Sequence, residues 1–90
     1  MKRMIVLNEK DNIAVALDPL AKGTEAALST GQTLLVCSDI PFAHKAALRP
    51  IAKGEPIIKY GLAVGAATQN IAMGEHVHVQ NMESLRHRVK

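Results

Sequence analysis

Ninety residues, 48% of them apolar and with a net charge of +3, make a single domain that buries roughly 60–65% of its unfolded surface. One Phe, one Tyr and no Trp leave little ring surface for stacking bases, and the basic excess lies at the ends (Lys2-Arg3, Arg86-His87-Arg88, Lys90), so nucleic acid is not expected as a partner. No run nears the ~20 apolar residues of a membrane span and no apolar signal core follows the start, so no membrane contact and a cytoplasmic location are expected.

Met4-Ile5-Val6-Leu7 predicts a first strand. Residues 8–12 form a polar turn of Asn and Asp types, which tolerate left-handed backbone. Residues 13–17 alternate large and small apolar side chains and predict a second strand that completes a hairpin. Glu25-Ala26-Ala27-Leu28-Ser29 has local helix propensity but is short, and a bulged strand fits equally. Residues 33–37 predict a strand. Its Cys37 has no partner for an internal disulfide, fits a reducing compartment and is expected to be buried and inert. Residues 42–48 fit either a short helical turn or a strand. Pro56 suits a strand's first residue, and residues 57–60 continue it. The Gly- and Ala-rich residues 61–67 suggest a bulge or a close backbone approach. Residues 76–79 predict the last strand. The domain is expected over 1–81, with 82–90 a polar, basic tail. Short strands, frequent turns and almost no helix indicate an all-β domain, barrel-like or clip-like.

One pattern recurs. Ile51-Ala52-Lys53-Gly54-Glu55 returns as Ile71-Ala72-Met73-Gly74-Glu75 and as Leu20-Ala21-Lys22-Gly23-Thr24, with Ile40-Pro41-Phe42-Ala43-His44 a copy lacking the glycine. The anchors Leu20, Ile40, Ile51 and Ile71 are spaced 20, 11 and 20 residues apart, too unevenly for a solenoid of one period. A single turn device used repeatedly explains them, with glycine at a positive-φ position and the apolar residue anchoring the turn to the core.

His76 and His78 are two apart, so on a strand they share a face and form a candidate metal pair. Two solvated strand histidines fit the same pattern. His44-Lys45, in an otherwise apolar stretch, suits recognition of a carboxylate or hydroxy acid, and a solvated turn is the alternative. His44, Lys45 and His78 are expected to face one polar concavity. No complete active site can be composed from the chain alone.

Asp11-Asn12-Ile13-Ala14-Val15-Ala16, Ile40-Pro41 with His44-Lys45-Ala46-Ala47-Leu48, Gly54-Glu55-Pro56-Ile57-Ile58-Lys59-Tyr60-Gly61, Gly65-Ala66-Ala67-Thr68 and Gly74-Glu75-His76-Val77-His78-Val79-Gln80-Asn81 occur in that order. Together they resemble the N-terminal domain of the altronate/galactarate dehydratase family, over about residues 5–86. The resemblance implies a SAF domain with the β-clip fold, shared with type III antifreeze proteins. It implies a lyase that removes water from a sugar acid, this chain being the small subunit beside a separate large dehydratase subunit and inactive alone. Iron or another divalent metal, held mainly by that large subunit, is implied as Lewis acid.

Carried onto this sequence, the resemblance implies catalytic roles for His78, His44 and Lys45. It implies substrate contacts from Lys45, Tyr60, Asn81 and Gln80, and metal contacts from His76 and His78. The family's last strand usually ends His-x-His-Asn. Here it reads His78-Val79-Gln80-Asn81, and glutamine is a poor transition-metal ligand and no general base. The small subunit of a sulfolactate sulfo-lyase, a non-catalytic small-molecule-binding SAF module, and a fragment of a fused enzyme are the alternative readings.

Overall fold

The computed structural model describes residues 1–84. Nine strands follow one another: β1 (Arg3–Ile5), β2 (Ile13–Ala16), β3 (Glu25–Leu28), β4 (Thr33–Leu35), β5 (Lys45–Ala47), β6 (Pro56–Lys59), β7 (Leu62–Ala67), β8 (His76–Val77) and β9 (Met82–Ser84). Among the described residues no helix is long and apolar enough to cross a membrane. The all-β expectation holds, and both ambiguous stretches resolve as strands: β3 alternates between core and solvent, while Ala46 and Ala47 of β5 are both small enough to be buried.

A six-stranded sheet runs β4-β3-β1-β2-β5-β8, and a three-stranded sheet runs β6-β7-β9. β1 and β2 form the expected antiparallel hairpin, with Met4 opposite Ala16. The glycine-rich stretch is β7, and its pairing with β6 shifts register between Ile57 and Ile58, as a bulge would. One aliphatic core gathers Met4, Leu20, Leu34, Val36 and Ile40. A second gathers Ile13, Ile51, Ile57, Ile71 and Val77 and joins the two sheets. Neither aromatic residue is buried.

The uneven turn spacing conceals an exact backbone repeat of 31 residues. The Gly23 N–H donates to the Val36 carbonyl, and the Gly54 N–H to the Ala67 carbonyl. Ala43 donates to Ala16 as Gly74 donates to Ala47. Leu20 bridges Ile40 as Ile51 bridges Ile71. The Lys22 N–H donates to Asp39 Oδ1 at 2.8 Å, and the Lys53 N–H to Asn70 Oδ1 at 2.9 Å. The copy without glycine keeps the geometry: Ala43 has φ 69°, where Gly23, Gly54 and Gly74 have 83–91°. Alanine there is strained by its Cβ.

The polar turn before β2 does more than reverse the chain. Asp11 and Asn12 are 4% and 3% exposed. Asn12 donates to the Pro56 carbonyl at 2.9 Å and accepts from the Ile58 N–H at 2.7 Å. The Asp11 carboxylate accepts from the N–H groups of Tyr60 and Gly61 at 3.1 and 2.8 Å. These side chains tie β6 to the larger sheet.

Three expectations need correction. Cys37 is exposed rather than buried, because β4 ends at Leu35 and the alternation turns residue 37 outward. β8 stops at Val77, because the Asn81 side chain captures the His78 N–H and starts a turn. Met82–Ser84, expected to open the tail, form β9 against β7, with Ala67 opposite Met82. The rest of that expected tail, 85–90, lies outside the described residues.

The turn geometry sets an order of mutational costs. A Cβ on Gly54 would meet nothing within 4 Å, whereas one on Gly74 would collide with the Leu35 carbonyl. Gly54→Ala is expected to destabilise by about 1 kcal/mol from backbone strain alone. Gly74→Ala is expected to cost about 2–4 kcal/mol, because overpacking adds to that strain. Ala43→Gly, which relieves strain, is expected to raise stability by about 0.5 kcal/mol. Urea denaturation of the three variants measures the order, and equal midpoints for Gly54→Ala and Gly74→Ala would contradict it.

Candidate functional site

Three local devices bring three histidines together. His44 follows Ala43 in the glycine-free turn, where its N–H donates to the Pro41 carbonyl at 3.0 Å. His76 opens β8, and its N–H donates to Ser38 Oγ at 2.8 Å. His78 leaves β8, and its N–H donates to Asn81 Oδ1 at 3.0 Å. The His44 and His78 rings stack at 4.5 Å between centroids, His44 and His76 at 5.1 Å, and His76 and His78 at 5.4 Å. His44 Nδ1 and His76 Nε2 are 2.9 Å apart, so one of them carries the shared proton.

Burial, and then the neighbouring His44, His78 and Lys45, hold His76 below the ordinary histidine range. Burial, followed by His44 and Lys45, lowers His78 in the same way. His76 and His78 therefore favour the neutral imidazole, the form that ligates a metal. Lys45 begins β5 opposite Val15 and Val77 and is half-buried. Burial first and Lys59 second lower its pKa. Lys45 and His78 line one concavity of about 400 Å³ with Val79, Met82, Glu83 and Ser84.

One ligand nitrogen from each of His44, His76 and His78 lies within 4.8 Å of the others. Two imidazole nitrogens bound side by side to one ion at about 2.1 Å stand about 3 Å apart, close to the His44–His76 spacing. An all-imidazole donor set suits iron, zinc, copper or nickel rather than magnesium or calcium. The residues present thus fit a divalent transition metal.

The expected pair His76 and His78 gains a third member, His44, placed among the catalytic residues by resemblance. The sequence signal was that His44 follows the one turn that keeps its shape without glycine. Asn81 is 0% exposed and does not face the concavity. Its amide nitrogen donates to the His76 carbonyl at 2.8 Å and to Glu75 Oε2 at 3.3 Å, so it braces the loop that aims His78. Gln80 is exposed on that loop, and its Nε2 donates to the His76 carbonyl at 3.2 Å. Tyr60 is 62% exposed on the β6–β7 turn, with φ 57°. Lys59 Nζ lies 5.7 Å from its ring centroid. Lys59 itself, close enough to act on Lys45, was missed because β6 alone does not reveal its neighbour on β5.

The fold and the cluster define a small all-β module that presents a three-imidazole site beside a lysine. The sequence profile of the altronate/galactarate dehydratase SAF domain matches residues 2–85, and the chain belongs to that family. It is 48% identical over 77 residues to altronate dehydratase of Escherichia coli (strain K12), covering 86% of this chain and 15% of that protein. Against altronate dehydratase of Bacillus subtilis (strain 168) the identity is 39% over 84 residues, 93% of this chain and 17% of that protein. The (2R)-sulfolactate sulfo-lyase subunit alpha of Chromohalobacter salexigens is 47% identical over 47 residues, 52% of this chain and 50% of that subunit. The chain therefore spans under a fifth of the two altronate dehydratases.

Two outcomes follow from this geometry. Asn81→Ala leaves the His78 N–H and His76 carbonyl without their partner and is expected to cost about 2 kcal/mol in urea denaturation. An unchanged midpoint would show that Asn81 does not brace the loop. His76 and His78 titrate lower folded than unfolded, so below about pH 6.5 the unfolded chain binds more protons. Stability is expected to fall as pH drops from 7.5 to 5.5, and the fall to shrink in His76→Asn. A slope unaltered by that substitution would remove the cluster as its source.

Proposed function

We propose that this chain is the SAF component of a hydro-lyase acting on a sugar acid of the altronate or galactarate type, together with a separate larger catalytic chain in the cytoplasm. The observation that carries the reading is the three-imidazole cluster beside Lys45, at a concavity large enough for a small acid. His44, His76 and His78 are its metal ligands. A divalent metal such as iron, bound there, supplies Lewis acidity toward a hydroxyl or carboxylate oxygen.

Lys45 attracts the substrate carboxylate by its charge. Elimination beside a carboxylate also needs a base for the proton on the adjacent carbon. Ligation and proton transfer compete for the same imidazole nitrogens, so the roles of His78 and His44 as bases yield to ligation when metal is bound. Lys45 stays charged to hold the carboxylate, so this proton passes to a base on the larger chain. The exposed Gln80 amide offers a hydrogen bond to substrate hydroxyls. Asn81 holds backbone rather than substrate, and the exposed Tyr60 stands beside Lys59 on the β6–β7 turn. The larger chain supplies the acid for the leaving oxygen.

A second reading, the small subunit of a sulfo-lyase acting on sulfolactate, is favoured by one observation. An alignment of 47 residues covers half of the sulfo-lyase subunit alpha, so that subunit is about as short as this chain. Either reaction eliminates a group next to a carboxylate.

The chain alone and the chain co-expressed with a larger lyase chain, assayed on altronate, galactarate and sulfolactate, test both readings. The isolated chain is expected to be inactive. The pair is expected to release a keto acid from a sugar acid, and His78→Ala to lower turnover at least 100-fold with assembly intact. Sulfite release from sulfolactate would select the second reading. Near-wild-type turnover of both His78→Ala and Lys45→Ala would leave the chain a binding module only. Calorimetric titration with zinc or ferrous ion is expected to show binding that each single His→Ala change at 44, 76 or 78 weakens at least 10-fold.

A further inference from the structure

The four turns each place one residue at the same tip, just ahead of the left-handed position: Lys22, Phe42, Lys53 and Met73. Where the tip is lysine, water is a natural neighbour. Phe42, however, is 63% exposed and stands two residues ahead of His44. Val79 is 80% exposed and follows His78 directly. The rings of His44 and His78 stack at 4.5 Å, so the backbone segments that carry Phe42 and Val79 converge at the imidazole cluster. The apolar surface continues from Val79 to Met82 along the concavity that holds Lys45. Isolated exposed apolar residues are ordinary, but a patch adjoining a site marks an interaction surface.

We propose that Phe42 and Val79, next to the imidazole cluster in the chain, belong to the face on which the larger catalytic chain docks, so that the partner closes the site it completes. This rests on the reading that the chain works with such a partner. The two altronate dehydratases have over four-fifths of their length outside the region this module matches, which is where a partner's surface would come from. Charge points the same way. Lys45 and Lys59 lie close enough to act on each other beside the patch, a pair of cations that acidic groups on the partner complement. The exposed lysine tips, Lys22 and Lys53, are not part of this face.

The test mixes the purified chain with the larger lyase chain of the same organism, recognised by similarity to the part of altronate dehydratase outside the matched region. Binding is followed by calorimetry, and self-association by sedimentation. Phe42→Ser with Val79→Ser is expected to weaken binding at least 30-fold at an unchanged urea midpoint, because truncated anchors at an interface centre have effects of this size. Lys22→Glu with Lys53→Glu is expected to change it less than 3-fold. Wild-type binding that the first pair leaves intact, or that the second pair abolishes, overturns the docking face but not the proposed function. No binding by the wild-type chain overturns the proposed function and the face with it. A wild-type dimer that Phe42→Ser with Val79→Ser returns to monomer assigns the face to a second copy and overturns the proposal.

Discussion

A backbone amide held in a left-handed turn and bonded to a carbonyl in a remote strand is the interaction on which the rest of this fold depends. The strands are two to six residues long, and β8 has two. Ladders that short do not hold register by themselves. Each turn amide instead reaches across the sequence, Gly23 to Val36, Ala43 to Ala16, Gly54 to Ala67 and Gly74 to Ala47. The apolar anchors then bridge in pairs, Leu20 with Ile40 and Ile51 with Ile71. Two such pairs fix two cores, and the buried side chains of Asp11 and Asn12 tie β6 to the larger sheet.

The site arises where this repeat is broken. The residue after each left-handed position is Thr24, His44, Glu55 or Glu75. Glu55 and Glu75 turn their carboxylates back onto the Ala52 and Ala72 N–H groups at 2.6 and 2.8 Å, closing their own turns. An imidazole at the equivalent place is not held in this way, and His44 stacks on His78 instead. The strained Ala43 and the clustered His44 are therefore neighbours, an association common at sites where geometry is fixed by the surrounding fold. Glu75 serves both purposes, closing one turn and bracing Asn81, which in turn aims His78.

Electrostatics gives the cluster its character. Burial first, and then the neighbouring His44 and Lys45, hold His76 and His78 low, while burial and Lys59 hold Lys45 low. In the proposed function this grouping is complemented by a metal that shares the nitrogens, by the carboxylate of an acid, or by acidic groups of a partner.

Much was legible in the sequence because it is local. Alternation of small apolar residues gave the strand class, and the positive-φ demand of a tight turn marked Gly23, Gly54 and Gly74 whatever surrounds them. Motif order carried the family likeness, and two histidines two residues apart marked one edge of the site. What the sequence could not give depends on register between distant segments. That β5 lies against β8, so that His44 joins His76 and His78 across more than 30 residues, follows from pairing of Ala46 with His76. The same holds for Asn81, a polar residue whose burial follows from the carbonyls and amides that happen to surround it. Local chemistry set which elements form. Long-range backbone pairing decided which side chains meet, because a strand's neighbours are chosen by the whole sheet rather than by its own residues.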